Sequence, residues 1–262
     1  MAREVWPLAA LPVALAALAA SLALRPPVRQ ESGAQPAVVA HSPRADSVPR
    51  VARVQPRSAP KPGSLVARVV SGARVTVHSV AGGPVSKVLG DRTEFGSPRA
   101  LGVVRRRGRW LGVTLPELPE GRLGWVDSRA HALRLAATRI ALEVDLSSHT
   151  LALRRGDRLL RRVRVTIGAA GSTTPTGRFA ITDKLSGPRF SAAYGCCILA
   201  LSGRQPNLPA GWSGGDRLAI HGAPAGEPVG SASSAGCLHA PEEDLRALMQ
   251  TVPLGAPVVI RA

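Results

Sequence analysis

Three kinds of residue are scarce in this chain of 262, and each scarcity closes off a class of function. Aromatic side chains make up 3% of it. A basic chain so poor in rings has no stacking platform for single strands, and no recognition-helix motif is present, so nucleic acid is not expected as a partner. Cysteine occurs only at Cys196, Cys197 and Cys237, with no Cys-x-x-Cys spacing. Adjacent cysteines rarely present both sulfurs to one tetrahedral ion, so no metal is assigned, and no cofactor either. Lysine is confined to Lys61, Lys87 and Lys184. None ends a Gly-Lys-Ser/Thr motif, so the glycine-rich stretch from Gly168 to Gly177 reads as a turn between strands rather than a phosphate loop. Acidic residues are also outnumbered, 17 against 34 Lys plus Arg, a formal charge of +17 carried by scattered arginines.

What is present divides along the chain. Val5 to Leu24 is an almost unbroken apolar run of about 20 residues closed by Arg25-Pro-Pro, long enough to span a bilayer as a helix. Residues 1–24 are therefore expected to be a signal peptide or a membrane anchor. Residues 25–63 are rich in Pro, Ala, Arg and Ser without periodicity, which predicts a disordered linker. Residues 64–135 carry short alternating runs between Gly/Pro turns and predict a small all-β unit. Gly124-Trp125-Val126 resembles the late strand of bacterial SH3-like barrels, with Trp110 and Trp125 expected in its core.

From residue 139 strands are expected at 140–146, 151–154, 163–167, 178–182, 217–221 and 258–260. Pro241 to Gln250 reads as a helix with an acidic first turn and an apolar face of Leu245, Leu248 and Met249.

Cys237 lies in Ser-Ala-Gly-Cys-Leu-His (Ser234 to His239), 16 positions after His221 of Ile-His-Gly. The pairing suits nucleophilic catalysis. The thiolate is the attacking species, a thiol of pKa about 8.5 is mostly protonated at neutral pH, and a histidine in reach can take that proton. Small residues before the sulfur leave room for a carbonyl and free N–H groups for an oxyanion. The plain alternative is a structural thiol beside an ordinary histidine. Cys196 and Cys197 are compatible with a vicinal disulfide, a bridge to the odd thiol, or two free thiols. Tyr194 precedes them as a candidate phenol lining the site.

The surroundings bear on that choice. Asp145-Leu-Ser-Ser-His-Thr-Leu-Ala-Leu, Val-Thr-Ile-Gly at 165–168, Thr174-Pro-Thr-Gly-Arg-Phe, Leu218-Ala-Ile-His-Gly, Ser234-Ala-Gly-Cys-Leu and Leu254-Gly-Ala-Pro-Val-Val-Ile follow in order. Residues 139–262 thereby resemble the catalytic domain of the L,D-transpeptidases of the YkuD type, which remodel peptidoglycan. Together these readings predict a mainly β chain: a β-sandwich catalytic domain with a short helix, behind a small SH3-like β-barrel and an N-terminal apolar helix.

The resemblance further implies Cys237 as nucleophile and His221 as general base and acid. Gly236, Ser234, Gly222, His239 and Tyr194 fall among the oxyanion or substrate-positioning residues. Ala235 stands where the family usually has His, His239 where it has Arg or Asn, and the His-to-Ser gap is short for the family. The implied partners are peptidoglycan stem peptides; the apolar N-terminal run adds the membrane and an extracytoplasmic location, and no oligomeric state is assigned beyond an expected monomer. Water in place of an amine acceptor would make the same site an L,D-carboxypeptidase, and a catalytically silent wall-binding protein is the reading from another class. An ordinary histidine titrates near pKa ~6.5, which predicts the acid limb of the pH–rate profile there.

Overall fold

Val75 and Val77 are buried while Arg74 and Thr76 between them face solvent, the period-two pattern of a strand with one wet face. Patterns of this kind shape the first part of the structure, a computed structural model that describes residues 63–224 and 226–262. Seven strands form one antiparallel sheet: β1 (Ser64–Val69), β2 (Arg74–His78), β3 (Val85–Gly90), β4 (Ala100–Arg107), β5 (Trp110–Thr114), β6 (Leu123–Asp127) and β7 (Leu133–Thr138). Their order is β3-β2-β6-β5-β4-β1-β7. Leu111, Val113, Val126 and Val77 centre its core. Trp125 is buried as expected, whereas Trp110 is half-buried, edge-on to His78 at 4.8 Å. β7 runs past residue 135 to Thr138 and pairs along its whole length with β1.

The second part of the structure begins after one intervening residue, Arg139. Its strands are β8 (Ile140–Asp145), β9 (Thr150–Arg155), β10 (Arg158–Arg164), β11 (Ile167–Gly168), β12 (Gly177–Ser186), β13 (Cys197–Arg204), β14 (Arg217–Gly222), β15 (Ala232–Ser234), β16 (Leu238–Ala240) and β17 (Pro257–Arg261). Eight of them are ordered β10-β9-β8-β17-β12-β13-β14-β16, and β11 pairs with β15 in a separate parallel ribbon. Ten-residue β12 joins the two halves, pairing with β17 through its first residues and with β13 through its last. Leu142, Val144 and Val258 from one half and Leu199, Leu201 and Ile220 from the other enter a single core. The helix α1 (Glu242–Thr251) starts after Pro241 and buries Leu245 and Leu248 against that core, with Met249 partly buried beside them.

Three strands present two different faces. Leu199 and Leu201 of β13, Leu218 and Ile220 of β14, and Leu238 and Ala240 of β16 point into the core. The intervening Ile198, Ala200, Arg217, Ala219, His221 and His239 line a groove on the other side. Alternation thus places two histidines and an arginine on one wall by the same rule that builds the core.

The two sheets pack closely. Gly255, at φ +82°, lies where a Cβ would sit 2.3 Å from Val66 Cγ1 of β1. Arg204 at the end of β13 donates through Nε to the Pro116 carbonyl at 2.7 Å. No helix among the described residues is long and apolar enough to cross a membrane. The run from Val5 to Leu24 lies outside the described residues.

Gly255→Ala combines a left-handed backbone with a collision, and is expected to cost about 2 kcal/mol or more. Gly72→Ala, at φ +75° with open space around it, should cost only about 1 kcal/mol. Chemical denaturation of both variants checks the difference.

Candidate active site

Cys237 sits between β15 and β16, and its neighbours dictate how the loop turns. Ser234 Oγ donates to the Cys237 carbonyl at 2.6 Å and accepts from the Gly236 amide at 3.0 Å. Gly236 has φ +117°, and a Cβ there would fall 1.8 Å from Gln205 Nε2. Only glycine fits on both counts. Gln205, buried, donates through Nε2 to the carbonyls of Ser172, Thr173 and Ala235 at 2.9, 3.0 and 3.2 Å. Thr174 Oγ1 donates to the Gly236 carbonyl at 2.9 Å. The glycine-rich turn and the cysteine loop are therefore one hydrogen-bonded body.

The Gly236 amide, expected to face an oxyanion, is committed to Ser234 instead. A short loop that must turn sharply uses its own hydroxyl to satisfy that N–H.

His221 comes from β14. Its Nδ1 lies 2.7 Å from the Gly222 carbonyl, which can only accept, so Nδ1 carries the hydrogen and Nε2 keeps its lone pair. Gly222 does not line the groove; a Cβ on it would meet Gly195 Cα at 2.8 Å and the Tyr194 carbonyl at 3.0 Å. That close approach lays Tyr194 edge-on against the His221 ring, with centroids 4.8 Å apart. The segment is pinned from the other side by Glu242 of α1, whose Oε1 accepts from the Cys196 amide at 2.7 Å. Cys196 and Cys197 form a vicinal disulfide, and Cys237 is a free thiol.

Burial drives the His221 imidazole down to about 3, with the neighbouring His239 acting in the same direction and the Gly222 carbonyl opposing them. Burial also pushes the Cys237 thiol up to about 11, against a main-chain contact from Ala219. Thiol and imidazole are therefore both neutral near pH 7. At rest the thiol donates to the Arg217 carbonyl at 3.7 Å. The Tyr194 phenol is raised by burial and by the nearby sulfur.

His239 pairs with His221 in the β14–β16 register, their ring centroids 4.5 Å apart. Its Nδ1 contacts both carboxylate oxygens of Glu227 at 3.0 Å, and Ser233 Oγ donates to the same carboxylate at 2.7 Å. Burial lowers the pKa of His239, while the Glu227 charge and hydrogen bond raise it.

Of the residues singled out in the sequence, Cys237, His221, His239, Ser234 and Tyr194 line one groove of about 800 Å³, while Gly222 and Gly236 support it from behind. Gln205, Glu227, Arg217 and Phe95 were not singled out, and no spacing pattern marks them. A smaller cavity of about 250 Å³, bordered by Arg105, Arg122 and Arg178, shares no lining residue with the groove. Among the described residues no three His, Cys, Asp or Glu side chains converge as a metal site.

Residues 139–260 match the family model of the YkuD L,D-transpeptidase catalytic domain. A Bacillus licheniformis protein bearing the name L,D-transpeptidase YkuD is 29% identical over 119 residues, which are 45% of this chain and 64% of that protein. The chain thus spans less than two thirds of that relative. Among solved structures, Bd1075 of Bdellovibrio bacteriovorus is similar at 22% identity and TM-score 0.39, over 47% of this chain and 48% of that one. L,D-transpeptidase 3 of Mycobacterium tuberculosis, solved with a faropenem-derived adduct, is similar at 18% identity and TM-score 0.36, over 53% of this chain and 73% of that one.

Glu227→Gln should lower the His239 pKa further, because the carboxylate stabilises the imidazolium. Titration of the imidazole resonances by NMR checks the direction, and a rise would mean that Glu227 is not the dominant charge on that ring.

Proposed function

We propose that residues 139–262 are the catalytic domain of a peptidoglycan L,D-transpeptidase with Cys237 as nucleophile. The observation that carries the reading is a thiol at the head of β16 sharing a groove with the ring of His221, whose Nδ1 is occupied by Gly222 and whose Nε2 keeps its lone pair. The family match over 139–260 supports it.

The donor is a stem tetrapeptide. The Cys237 hydrogen turns from the Arg217 carbonyl to His221 Nε2 as sulfur attacks the carbonyl of the third, diamino-acid residue. The oxyanion that forms is received by the Cys237 amide, since the Gly236 amide is held by Ser234. Collapse of this intermediate breaks the bond to the terminal D-alanine, and the imidazolium protonates the departing amine. A side-chain amine of a neighbouring stem then attacks the thioester, gives a proton to His221, and releases sulfur, which takes that proton back. Water in the same position would make the product an L,D-carboxypeptidase product.

Burial holds both groups neutral at rest. An ion pair of thiolate and imidazolium is not held in the buried site at rest, so charge develops with the attack, where the hydrogen-bonding loop can receive it. His239, locked to Glu227, is the residue we assign to substrate positioning, with Tyr194 covering the base. The first sheet is read as the SH3-like domain and residues 1–24 as the export or anchoring segment, which puts the chain on the wall side of the membrane.

Cys237→Ala should abolish covalent modification by a carbapenem or a purified tetrapeptide, read by intact mass, while Cys196→Ala and Cys197→Ala retain it. An adduct on the Cys237→Ala variant would remove the assignment. In single-turnover acylation against pH, the acid limb should lie well below the ~6.5 of an ordinary histidine, because the base remains neutral down to its depressed pKa. His221→Gln should lower the plateau by a factor on the order of 10² or more.

A further inference from the structure

The exposed aromatic rings among the described residues all face the same groove. Phe95, Phe190 and Trp212 are 36%, 50% and 46% exposed, and each lines it. Trp110, Trp125 and Phe179 elsewhere in the structure are half-buried or buried. In a chain with eight aromatic residues, three left in water around one cleft form a surface kept for a ligand.

Phe95 does not come from the sheet that bears Cys237. It lies in the β3–β4 turn of the first sheet, closed by the Thr93 amide on the Ser97 carbonyl at 3.0 Å. That turn is fastened to the second sheet at several points. Thr93 Oγ1 donates to the Asp183 carboxylate, and Glu94 pairs with Arg217 and, at 3.9 Å, with Arg204. The Phe95 ring stands edge-on to Phe190 at 5.9 Å and under the Arg217 guanidinium at 5.6 Å. Arg217 is the residue whose carbonyl holds the Cys237 thiol. The first sheet therefore supplies part of the groove wall within one residue of the reacting centre.

The chemistry of the wall selects what can lie on it. A stem peptide offers methyl-sized, carboxylate and amine side chains, none with a flat apolar face. A pyranose ring offers such a face in its axial C–H bonds, while its hydroxyls stay in water or reach the serines of the groove rim, Ser191, Ser213 and Ser233. In peptidoglycan that ring is attached to the stem whose carbonyl would sit at Cys237.

We propose that Phe95, Phe190 and Trp212 form a subsite for a sugar ring of the glycan strand carrying the acyl donor, with Phe95 contributed by the first sheet. The place of the stem at Cys237 rests on the transpeptidase reading; sugar binding by the rings does not need the thiol. The test uses the full chain in two arms. In the first, a peptide-free N-acetylglucosamine tetrasaccharide is titrated into the Cys237→Ala variant and followed by calorimetry. Binding is expected, and adding Phe95→Ala or Trp212→Ala should weaken it about fivefold, the scale of one aromatic ring contact. In the second arm, acylation of the native thiol is compared for a tetrapeptide with and without its disaccharide. The ratio of kcat/KM values should favour the disaccharide-bearing donor and fall about fivefold in either ring variant, with the change in KM rather than kcat.

Trp212→Ala removes a ring that belongs wholly to the second sheet, so a fall in both variants cannot come from loosening the β3–β4 turn. No binding of the tetrasaccharide, or equal losses on both donors, would overturn the subsite. Tetrasaccharide binding that depends on the rings, with neither donor acylating the native thiol, would leave the subsite standing and remove the transpeptidase reading.

Discussion

Ile220, His221 and Gly222 run parallel to Leu238, His239 and Ala240, register for register, and the groove depends on this short ladder. Parallel neighbours cannot be joined by a tight turn, so the chain must leave β14, travel through residues 223–237 and return. That crossover carries Glu227, Ser234 and Cys237. The ladder fixes where it ends, which places the thiol beside the strand bearing His221 and sets the His239 ring against the His221 ring. A slip of one residue in β16 would turn His239 into the core and bring Leu238 or Ala240 to the groove.

Around this ladder the polar groups are buried in a particular order of charge. Burial disfavours the charged forms of Cys237 and His221, whereas the salt-bridging pairs stand one layer out: Glu227 with His239, and Glu94 and Asp183 with Arg217. Arg217 is also tied to the Thr182 hydroxyl at 2.8 Å and the Leu201 carbonyl at 2.7 Å. The guanidinium is thus held on several sides, and the carbonyl of the same residue accepts from the Cys237 thiol.

Much of this was legible in the sequence. Cys237 and His221 stood out because cysteine is rare here and small residues surround it, and α1 because its acidic turn and apolar face are local signals. β13 was not expected as a strand. Its residues Cys197 to Gly203 are buried on both faces, so the alternation that marks β2 or β8 is absent there. β10 was placed late, its arginine-rich start hiding a strand that pairs with β9 from Arg158 onward. Gln205, Glu227 and Arg217 were invisible for a different reason. Each acts through partners brought near only by the folded sheet, as Gln205 does with Ser172 across 33 positions. A depressed His221 was equally out of reach, because its cause is burial rather than a neighbour in sequence.

The β3–β4 turn bears on where this chain could be divided. Family resemblance places a boundary near residue 139, where one sheet ends and the next begins. Physical continuity runs across it. Asp183 is wholly buried and takes a hydroxyl donor from Thr93, so cutting the chain at that boundary would leave a carboxylate inside the second sheet with its donor gone. Arg217 would lose the Glu94 carboxylate in the same step. Recombining the second sheet with a different N-terminal module would therefore alter the electrostatic floor beneath the thiol, even with every residue from 139 to 262 unchanged.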